Sequence, residues 1–284
     1  MKNALTIDLE DYYHVTAFAN GSSNNWDGRE SRVEANTEIL LELLARANCR
    51  ATFFTVGWVA EKFPRLIQKV AEAGHELACH SHLHRLVYSL SPEQFREDTF
   101  RAKNSIEQAG GLAVRGYRAP SFSITRESQW ALEILVELGF SYDSSIFPVK
   151  HANHGTPNAP RFPFRIQTAA GPIVEFPMST LALGNVRSPF AGGAYFRLLP
   201  YRYTRWGIDY LNETSKQPVC VYVHPWELDP EQPRMSGNIS ARARHYFGLG
   251  GVLGKLKRLL RDVDFCTLGS LIPELELPAG RLWE

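Results

Sequence analysis

Short apolar runs alternate with longer amphipathic stretches along most of this chain. Seven of the apolar runs predict strands, at residues 4–9, 51–56, 75–79, 114–117, 140–142, 219–223 and 264–267. The stretches between them predict helices, and within residues 32–47 one apolar face is formed by Ile39, Leu40, Leu43 and Leu44. Repeated strand–helix units with apolar strands predict an α/β fold with a parallel sheet, and seven units favour a closed or nearly closed barrel.

Two further helices carry clear end signals. One begins at Ser91-Pro92, where serine is a typical N-cap, proline suits the first turn and Gln94 completes a capping box. The other covers about residues 126–138 and ends at Gly139, a residue type common just after helices. Both helices therefore connect predicted strands, as a barrel topology requires.

Residues 147–200 interrupt this alternation, because the stretch is rich in proline and glycine. Within it, residues 164–167 and 173–176 flank Ala170-Gly171 and predict a β-hairpin. We interpret the stretch as an insertion over the mouth of the barrel rather than as a second domain. The 284 residues are then one α/β domain.

Composition narrows the function classes. A net charge of +1 gives no general footprint for nucleic-acid binding. We expect buried thiols rather than disulfides from the four cysteines, because they are far apart and form no close pair. The first residues lack the pattern of a signal peptide, and no apolar run is long enough for a transmembrane segment. Together these features predict a cytoplasmic protein.

The most informative motif is His80-Ser81-His82-Leu83-His84, which directly follows the third predicted strand. Residues four apart share one face of a helical turn, so the first and last imidazoles can reach one metal ion. The first predicted strand ends in Asp8-Leu9-Glu10-Asp11, which supplies carboxylates. Two imidazoles and one carboxylate are a typical ligand set of a catalytic divalent metal with open positions. The sequence therefore predicts metal-assisted hydrolysis.

Three more polar clusters follow predicted strands: Tyr117-Arg118-Ala119-Pro120-Ser121, Tyr142-Asp143-Ser144-Ser145 and His224-Pro225-Trp226-Glu227. In a parallel barrel the carboxyl ends of all strands open on one face, where active sites lie. We therefore expect all these clusters to meet around one site.

These motifs, in this order, resemble those of the polysaccharide deacetylase family, the carbohydrate esterase family 4 group that shares the NodB homology domain. Asp8-Leu9-Glu10-Asp11-Tyr12 and His224-Pro225-Trp226-Glu227-Leu228-Asp229 are most similar to the branch found with bacterial exopolysaccharide and exosortase loci. The resemblance covers essentially the whole chain. It implies a distorted (β/α) barrel, usually of seven strands, which residues 240–284 complete as a C-terminal family extension. It also implies metal-dependent N-deacetylation of an acetamido sugar.

The resemblance implies a role for each motif residue. Asp8 matches the catalytic base, and Arg118 matches the arginine that holds this base. His80 and His84 match the two imidazoles that bind the metal.

The catalytic acid and its partner come from the last two motifs. His224 matches the acid, and Asp143 matches the carboxylate paired with it. The same resemblance therefore implies four catalytic residues in total, two for each proton transfer.

The metal carboxylate is left open between Glu10 and Asp11. Most of the family has two adjacent aspartates, whereas here Asp8 is followed by Leu9. Alternation along a strand places Asp8 and Glu10 on one side and favours Glu10. If the strand ends at Leu9, Asp11 is the ligand instead. We expect zinc as the cofactor, with cobalt, nickel or manganese as alternatives for the same donors.

Two aromatic residues are candidates for substrate binding. Tyr117 and Trp226 follow predicted strands, and each ring can stack on the apolar face of a sugar. Packing in the core is the alternative for both.

A basic amphipathic helix is predicted near the end of the chain, where leucines alternate with Lys255, Lys257, Arg258 and Arg261. Such a helix either rests on an anionic membrane surface or is solvated and packed on the barrel.

We expect an N-acetylated sugar or a polysaccharide precursor as the partner, in exopolysaccharide biosynthesis. One alternative is an amidohydrolase that acts on a small cyclic amide on the same barrel. Another is a non-catalytic carbohydrate-binding protein, which would not need both proton-transfer residues and their partners. A glycosidase would need two carboxylates that flank the scissile bond, and no metal.

Overall fold

The computed structural model of the chain describes residues 1–18, 26–150, 155–184 and 186–283. Within these ranges the strands are β1 (Asn3–Leu9), β2 (Thr52–Thr55), β3 (Glu76–Cys79), β4 (Gly116–Tyr117), β5 (Tyr142–Asp143), β6 (Phe164–Thr168), β7 (Gly171–Glu175), β8 (Thr180–Leu183), β9 (Val186–Pro189), β10 (Cys220–Val223) and β11 (Phe265–Cys266). The α-helices of the same ranges are α1 (Val33–Arg46), α2 (Gly57–Lys62), α3 (Pro64–Glu72), α4 (Pro92–Gly110), α5 (Trp130–Glu137), α6 (Gly193–Leu198), α7 (Tyr201–Glu213), α8 (Ile239–Tyr246), α9 (Val252–Asp262) and α10 (Leu268–Leu271). Residues 151–154 and 185 of the proposed 147–200 insertion lie outside the described residues.

A mainly parallel sheet forms the centre of the fold, in the order β10-β1-β2-β3-β4-β5-β7-β6. The short strand β11 pairs with the start of β1. Because β1 to β5 and β10 all run in parallel, their carboxyl ends lie at one end of the sheet. The seven predicted strands overlap β1 to β5, β10 and β11. This agreement confirms the α/β class.

Residues 147–200 are only in part the insertion that we expected from the sequence. The hairpin is present as β6 and β7, with Ile166 opposite Ile173. However, β7 pairs in parallel with β5, so the hairpin extends the main sheet. Among the described residues this sheet therefore has nine strands rather than seven. The alternating pattern of a hairpin shows that two strands pair with each other, but it does not show which third strand they join.

The outer edge of β10 is covered by Ser179 and by the segment before α6, which make few regular strand contacts. Tyr222 N donates to Ala191 O at 3.0 Å, and Cys220 N donates to Ser179 Oγ at 2.9 Å. Gly192 lies directly against Tyr222, where an added Cβ would lie 2.1 Å from the ring. Only glycine permits this close approach of the backbone. The result is a distorted barrel whose last side is irregular.

Strand alternation separates two apolar layers. On β1, Leu5 and Ile7 point outward into the large core between the sheet and the helices. Ala4 points inward and belongs, with Phe54, to a second cluster inside the barrel. Asp8 is four positions after Ala4 on the same strand, so its side chain also points inward. The inward face of the strands therefore carries the polar residues that reach the carboxyl end of the barrel.

The opposite end of the barrel is closed by a hydrogen-bond network around Glu76. Its carboxylate accepts hydrogen bonds from Thr52 Oγ1 at 2.6 Å, Tyr142 OH at 2.8 Å and Gly269 N at 2.9 Å. Leu268 N donates in turn to Thr52 Oγ1 at 2.8 Å. The start of α10 is thus fixed against β2, β3 and β5.

Helix α9 packs against the protein through its apolar face, where Val252, Leu256 and Leu259 are buried. Lys255 Nζ donates to three carbonyl oxygens at the end of α6, at 2.6 to 3.1 Å. The guanidinium of Arg258 lies 4.4 Å from the ring of Tyr201, and Arg261 pairs with Asp262 at 3.0 Å. Of the two alternatives for this helix, the structure therefore favours the packed one, in which the apolar face is buried and Lys255 bonds to the end of α6. Within the described ranges no helix is both long enough and apolar enough to cross a bilayer.

We expect Glu76→Ala to lower the free energy of unfolding by about 2–4 kcal/mol, because buried donors on Thr52 and Tyr142 lose their acceptor. Chemical denaturation of the variant measures this change. Glu72→Ala, on the exposed face of α3, is the matched control and should leave stability nearly unchanged. Equal stabilities for the two variants would contradict the role given to Glu76.

Candidate functional site

Buried polar side chains meet at the carboxyl ends of β1, β3, β4 and β10. Among the described residues, one group has the geometry of a metal site: Glu10, His80 and His84 each offer a ligand atom, and these atoms lie within 4.8 Å of one another. Glu10 Oε2 lies 2.8 Å from His84 Nε2, and no hydrogen bond satisfies it. The donor set and the unsatisfied oxygen fit a divalent metal.

The protonation of these side chains also suits a metal. His80 Nδ1 lies 2.7 Å from the carbonyl oxygen of Arg118, which orients the ring and leaves Nε2 toward the site. Burial lowers the pKa of His80 to about 4, so its imidazole is neutral at neutral pH. Burial raises the pKa of Glu10, but the imidazoles of His84, His224 and His80 outweigh it, and the net pKa is lowered. Neutral imidazole and carboxylate are the ligand forms.

The segment that carries the two imidazoles is a loop and not the helical turn that we expected. Ser81 and His84 both have left-handed backbone conformations, with φ of 62° and 49°. Asp98 on α4 holds this loop, since its Oδ2 accepts from Ser81 Oγ and from His82 N, both at 2.7 Å. Leu83 N adds a bond of 3.3 Å to Oδ1. A buried carboxylate therefore imposes the conformation that brings both rings to one point.

Arg118 and Asp8 form a buried ion pair, as the resemblance implied. Arg118 Nη1 donates to Asp8 Oδ1 at 2.6 Å and to Thr6 Oγ1 at 2.8 Å. Ser144 accepts two more hydrogen bonds, from Nε at 3.2 Å and from Nη2 at 3.0 Å. The guanidinium lies 4.1 Å from the ring of Phe54. Asp8 is thus fixed, and its other carboxylate oxygen faces the site.

His224 lies on the opposite side of the same site. Its Nε2 is 3.8 Å from both Asp8 Oδ2 and Glu10 Oε1. Its Nδ1 is 3.2 Å from Oε2 of Glu227, and Glu227 also forms a buried ion pair with Arg197. Burial lowers the pKa of His224, but Glu227 and the two other carboxylates raise it to about 9. Burial raises the pKa of Glu227, but Arg197 and then His224 lower it to about 2.

Asp143 does not occupy the place that the resemblance implied. It accepts a hydrogen bond from Ser145 Oγ at 2.6 Å and lies opposite Glu175 in the pairing of β5 with β7. Burial raises the pKa of both carboxyl groups. The next residue, Ser144, points inward to Arg118, so alternation directs Asp143 to the other face of the sheet. The carboxylate beside His224 is therefore Glu227.

The structure places Glu10 and Asp11 in different surroundings. Asp11 Oδ2 accepts from Ser31 Oγ at 2.6 Å, Arg32 N at 2.9 Å and Val33 N at 3.1 Å. These donors lie at the start of α1, so Asp11 anchors the amino terminus of that helix. Its Oδ1 accepts a further hydrogen bond from Tyr12 N at 2.9 Å, and Glu10 is the carboxylate that lies with His80 and His84.

Tyr117 does not face the site. Its ring is fully buried outside the barrel, 5.7 Å from the ring of Phe95 and 5.8 Å from that of Phe140. Alternation explains this position, because Arg118 points inward and its neighbour must then point outward. The core-packing alternative is the one observed for Tyr117.

Trp226 lies in the site but is only 4% exposed. Its Nε1 donates to Glu10 Oε1 at 3.1 Å. Its ring is stacked between those of His224 and His245, at 4.9 Å and 4.3 Å. Trp226 therefore orients Glu10 and the imidazole of His224, and its faces are not open to a sugar.

Sequence reasoning missed four residues of this region: Asp98, Arg197, Glu227 and His14. Glu227 had a signal, because it stands three residues after His224 within the short turn Pro225–Leu228, which is the spacing of a capping box. His14 lies in an aromatic group, with ring centroids of Tyr13 and Trp26 at 4.7 Å and 4.2 Å. Asp98 and Arg197 are distant in sequence from the residues they hold and had no local signal.

We expect Asp98→Asn to lower the free energy of unfolding by about 2–3 kcal/mol, since an amide group turns an N–H toward the buried donors of the loop. Thermal and chemical unfolding measure this change. Glu97→Gln, on the exposed side of α4, is the neighbouring control. A variant as stable as the control would show that Asp98 does not hold the loop.

Two family models match consecutive segments of the chain. Residues 17–142 match the family model described as polysaccharide deacetylase, and residues 144–273 match one described as a domain of unknown function, DUF3473. A peptidoglycan-N-acetylglucosamine deacetylase of Bacillus cereus is 29% identical over 98 residues, which are 34% of this chain and 36% of that protein. A chitooligosaccharide deacetylase of a Bradyrhizobium strain is 31% identical over 85 residues, 30% of this chain and 39% of the relative. The chain thus spans less than two fifths of the length of these relatives.

The fold has a full-length counterpart among solved structures. The crystal structure of a candidate polysaccharide deacetylase from Mycobacterium smegmatis is similar over 100% of this chain and 94% of the other, with a TM-score of 0.65 and 18% identity. At this identity the likeness concerns the fold, which is the distorted-barrel type expected from the sequence. Residues 17–142 therefore carry a domain of the polysaccharide deacetylase family, and the fold of the chain is that of the Mycobacterium smegmatis structure.

Proposed function

We propose that this protein is a metal-dependent hydrolase that removes the acetyl group from an N-acetylated sugar. One observation carries the proposal: the Glu10–His80–His84 cluster lies between a held carboxylate, Asp8, and an imidazole of raised pKa, His224. Amide hydrolysis needs a base for the attacking water and an acid for the departing nitrogen, and these groups have those properties. The names of the relatives support an acetamido sugar as the substrate.

Glu10, His80 and His84 would hold the metal in this proposal. A bound divalent metal polarises a carbonyl and makes water more acidic. We propose zinc, because two imidazoles and one carboxylate are a common zinc ligand set, and cobalt, nickel or manganese accept the same donors. Trp226 keeps the carboxylate of Glu10 in position through its hydrogen bond to Oε1.

Asp8 is the base in this mechanism. Arg118 occupies its Oδ1, so Oδ2 is the oxygen that takes a proton from water as the water oxygen attacks the acetyl carbon. The ion pair prevents the carboxylate from rotating away, which keeps the acceptor lone pair directed at the site. The proton then resides on Asp8.

His224 is the acid. With a pKa of about 9 its imidazolium is present at neutral pH. It donates a proton from Nε2 to the amide nitrogen while the C–N bond breaks, which releases acetate and a free amine. Glu227 supports the charged imidazole, and Arg197 holds Glu227 in turn.

We also propose a cytoplasmic location and a role in exopolysaccharide biosynthesis. The location is supported by the four cysteines, all of which are free thiols, and three of which are buried. The role is supported by the similarity of the motifs to those of the exopolysaccharide-associated branch of the family. Neither point affects the chemistry proposed for the site.

The first experiment measures acetate release from N-acetylated oligosaccharides and sugar nucleotides by metal-stripped protein, with and without added zinc. We expect release only with metal. His84→Ala and Glu10→Gln should lose bound metal, whereas Asp8→Asn should retain metal and lose turnover, because the base is not a ligand. Asp11→Asn is the matched carboxylate control and should retain metal. Turnover by Asp8→Asn, or stoichiometric metal without acetate from any substrate, would contradict the proposal.

The pH profile tests the acid. Activity should fall as the pH rises through the pKa of His224, because the imidazolium is lost. Glu227→Gln removes the negative charge that raises this pKa, so the alkaline limb of kcat/KM should move to lower pH by about one unit or more. Asp143→Asn should leave the alkaline limb at the same pH. Thermal unfolding of this variant shows whether it is folded. If the alkaline limb moved in Asp143→Asn and not in Glu227→Gln, the partner of His224 would be Asp143, as the resemblance implied.

A further inference from the structure

A groove is lined by residues of β6 and by the segment that pairs with Arg165 of that strand. Its volume is about 2240 Å³, and its lining includes residues 155–168, residues 278–283 and several residues between 125 and 133. Pockets for small ligands have volumes of about 300–1,000 Å³. The groove is therefore large enough for several units of an extended polymer.

The charge of the groove is positive. Five arginines line it: Arg126, Arg161, Arg165, Arg187 and Arg281. Two acidic residues, Glu127 and Glu133, line it as well. In the part of the chain that the structure describes, none of the five arginines forms an ion pair. Guanidinium groups without carboxylate partners in a concave surface favour an anionic ligand.

Arg161 and Arg187 are held in place for such a ligand. Arg161 Nη2 donates to Thr180 O at 3.0 Å, and Arg187 Nη1 donates to Ala159 O at 2.7 Å. Arg161 Nε is buried and has no hydrogen-bond partner among the described residues. Burial, and then the nearby charge of Arg161, lower the pKa of Arg187. An acidic group bound between the two would satisfy the remaining donors and relieve their repulsion.

Aromatic rings accompany these charges. Tyr88, Trp130, Phe162 and Trp283 line the groove, and the guanidinium of Arg161 lies 4.9 Å from the ring of Phe162. Flat apolar rings suit the apolar faces of sugar units, while arginines suit acidic substituents.

The groove also begins close to the metal cluster along the chain. Tyr88 is four residues after His84, and Thr125 is seven residues after Arg118. Both segments leave strands at the end of the barrel where the cluster lies. The lining of the groove therefore includes residues of two segments that follow site motifs along the chain.

We propose that this groove binds an anionic sugar chain, with its acidic groups between Arg161 and Arg187. The inference rests on the proposed function and narrows its substrate to an acidic polysaccharide that carries acetamido sugars. A concave groove with aromatic walls favours a linear chain over a membrane surface, which would need an exposed convex patch.

The test uses the intact, metal-stripped chain, so that binding is measured apart from turnover. Calorimetry at low salt compares a hyaluronan oligosaccharide, in which uronate alternates with N-acetylglucosamine, with a neutral chitin oligosaccharide of equal length. We expect about tenfold tighter binding of the anionic chain, and loss of this preference in Arg161→Gln/Arg187→Gln. Arg65→Gln/Lys257→Gln removes two exposed positive charges elsewhere and should retain it.

A second variant keeps the test valid if loss of the backbone contacts of Arg161 and Arg187 unfolds the first. Arg165→Gln/Arg281→Gln changes two exposed side chains of the groove and should weaken binding of the anionic chain severalfold. Equal binding of the two oligosaccharides by the unaltered protein, or an equal loss in the control variant, would overturn the proposal. So would binding of anionic phospholipid vesicles, but not of hyaluronan, that depends on the same arginines.

The result also separates this inference from the proposed function. Arginine-dependent binding of hyaluronan without acetate release from any substrate would support the groove and overturn the deacetylase. Acetate release from chitin oligosaccharides without a preference for the anionic chain would support the deacetylase and overturn the groove.

Discussion

The buried ion pair between Arg118 and Asp8 is the interaction on which the rest of the site depends. A guanidinium inside a barrel is strongly unfavourable unless charge and hydrogen bonds compensate it. Here the compensation comes from β1 through Asp8 and Thr6, from the end of β5 through Ser144, and from β10 through Cys220 Sγ at 3.5 Å. One side chain that follows β4 thus connects four strands. The same contacts fix the direction in which the carboxylate of Asp8 faces, so the register of the sheet and the position of the proposed base have a common cause.

Strand alternation then decides which polar residues join this pair. Arg118 and Ser144 point into the barrel, and their neighbours Tyr117 and Asp143 must therefore point to the outer face. At the end of β1 the same rule places Asp8 and Glu10 on one side, and Glu10 lies with His80 and His84. On β5 it places Ser144 beside Arg118 and Asp143 on the outer face, opposite Glu175. The position of Asp143 therefore follows from the contact between Ser144 and Arg118.

Local signals predicted more of the fold than of the contacts within the site. The capping box at Ser91 is present, with Gln94 N at 3.2 Å from Ser91 Oγ, and Gly139 has the left-handed φ of 83° typical just after a helix. These features depend on residues a few positions apart. The loop that carries His84 depends instead on Asp98 on α4, and the orientation of Glu10 depends on Trp226. Patterns along the sequence contain no information on contacts between such distant residues. The candidate metal ligands could therefore be predicted from the sequence, but the conformation of their loop could not.

The two matched segments of the chain are not separable in the proposed chemistry. The segment 17–142 contains both metal-binding imidazoles and Arg118, whereas the segment 144–273 contains His224, Glu227 and Arg197. Arg197 is on α6, whose last carbonyl groups are held by Lys255 of α9. A movement of α9 or α6 would therefore reach His224 through Arg197 and Glu227, and it would reach Glu10 through Trp226, whose ring lies 5.3 Å from the Arg197 guanidinium. In the proposed mechanism, the segment that matches the domain of unknown function therefore supplies His224, the acid, together with Glu227 and Arg197, which hold it.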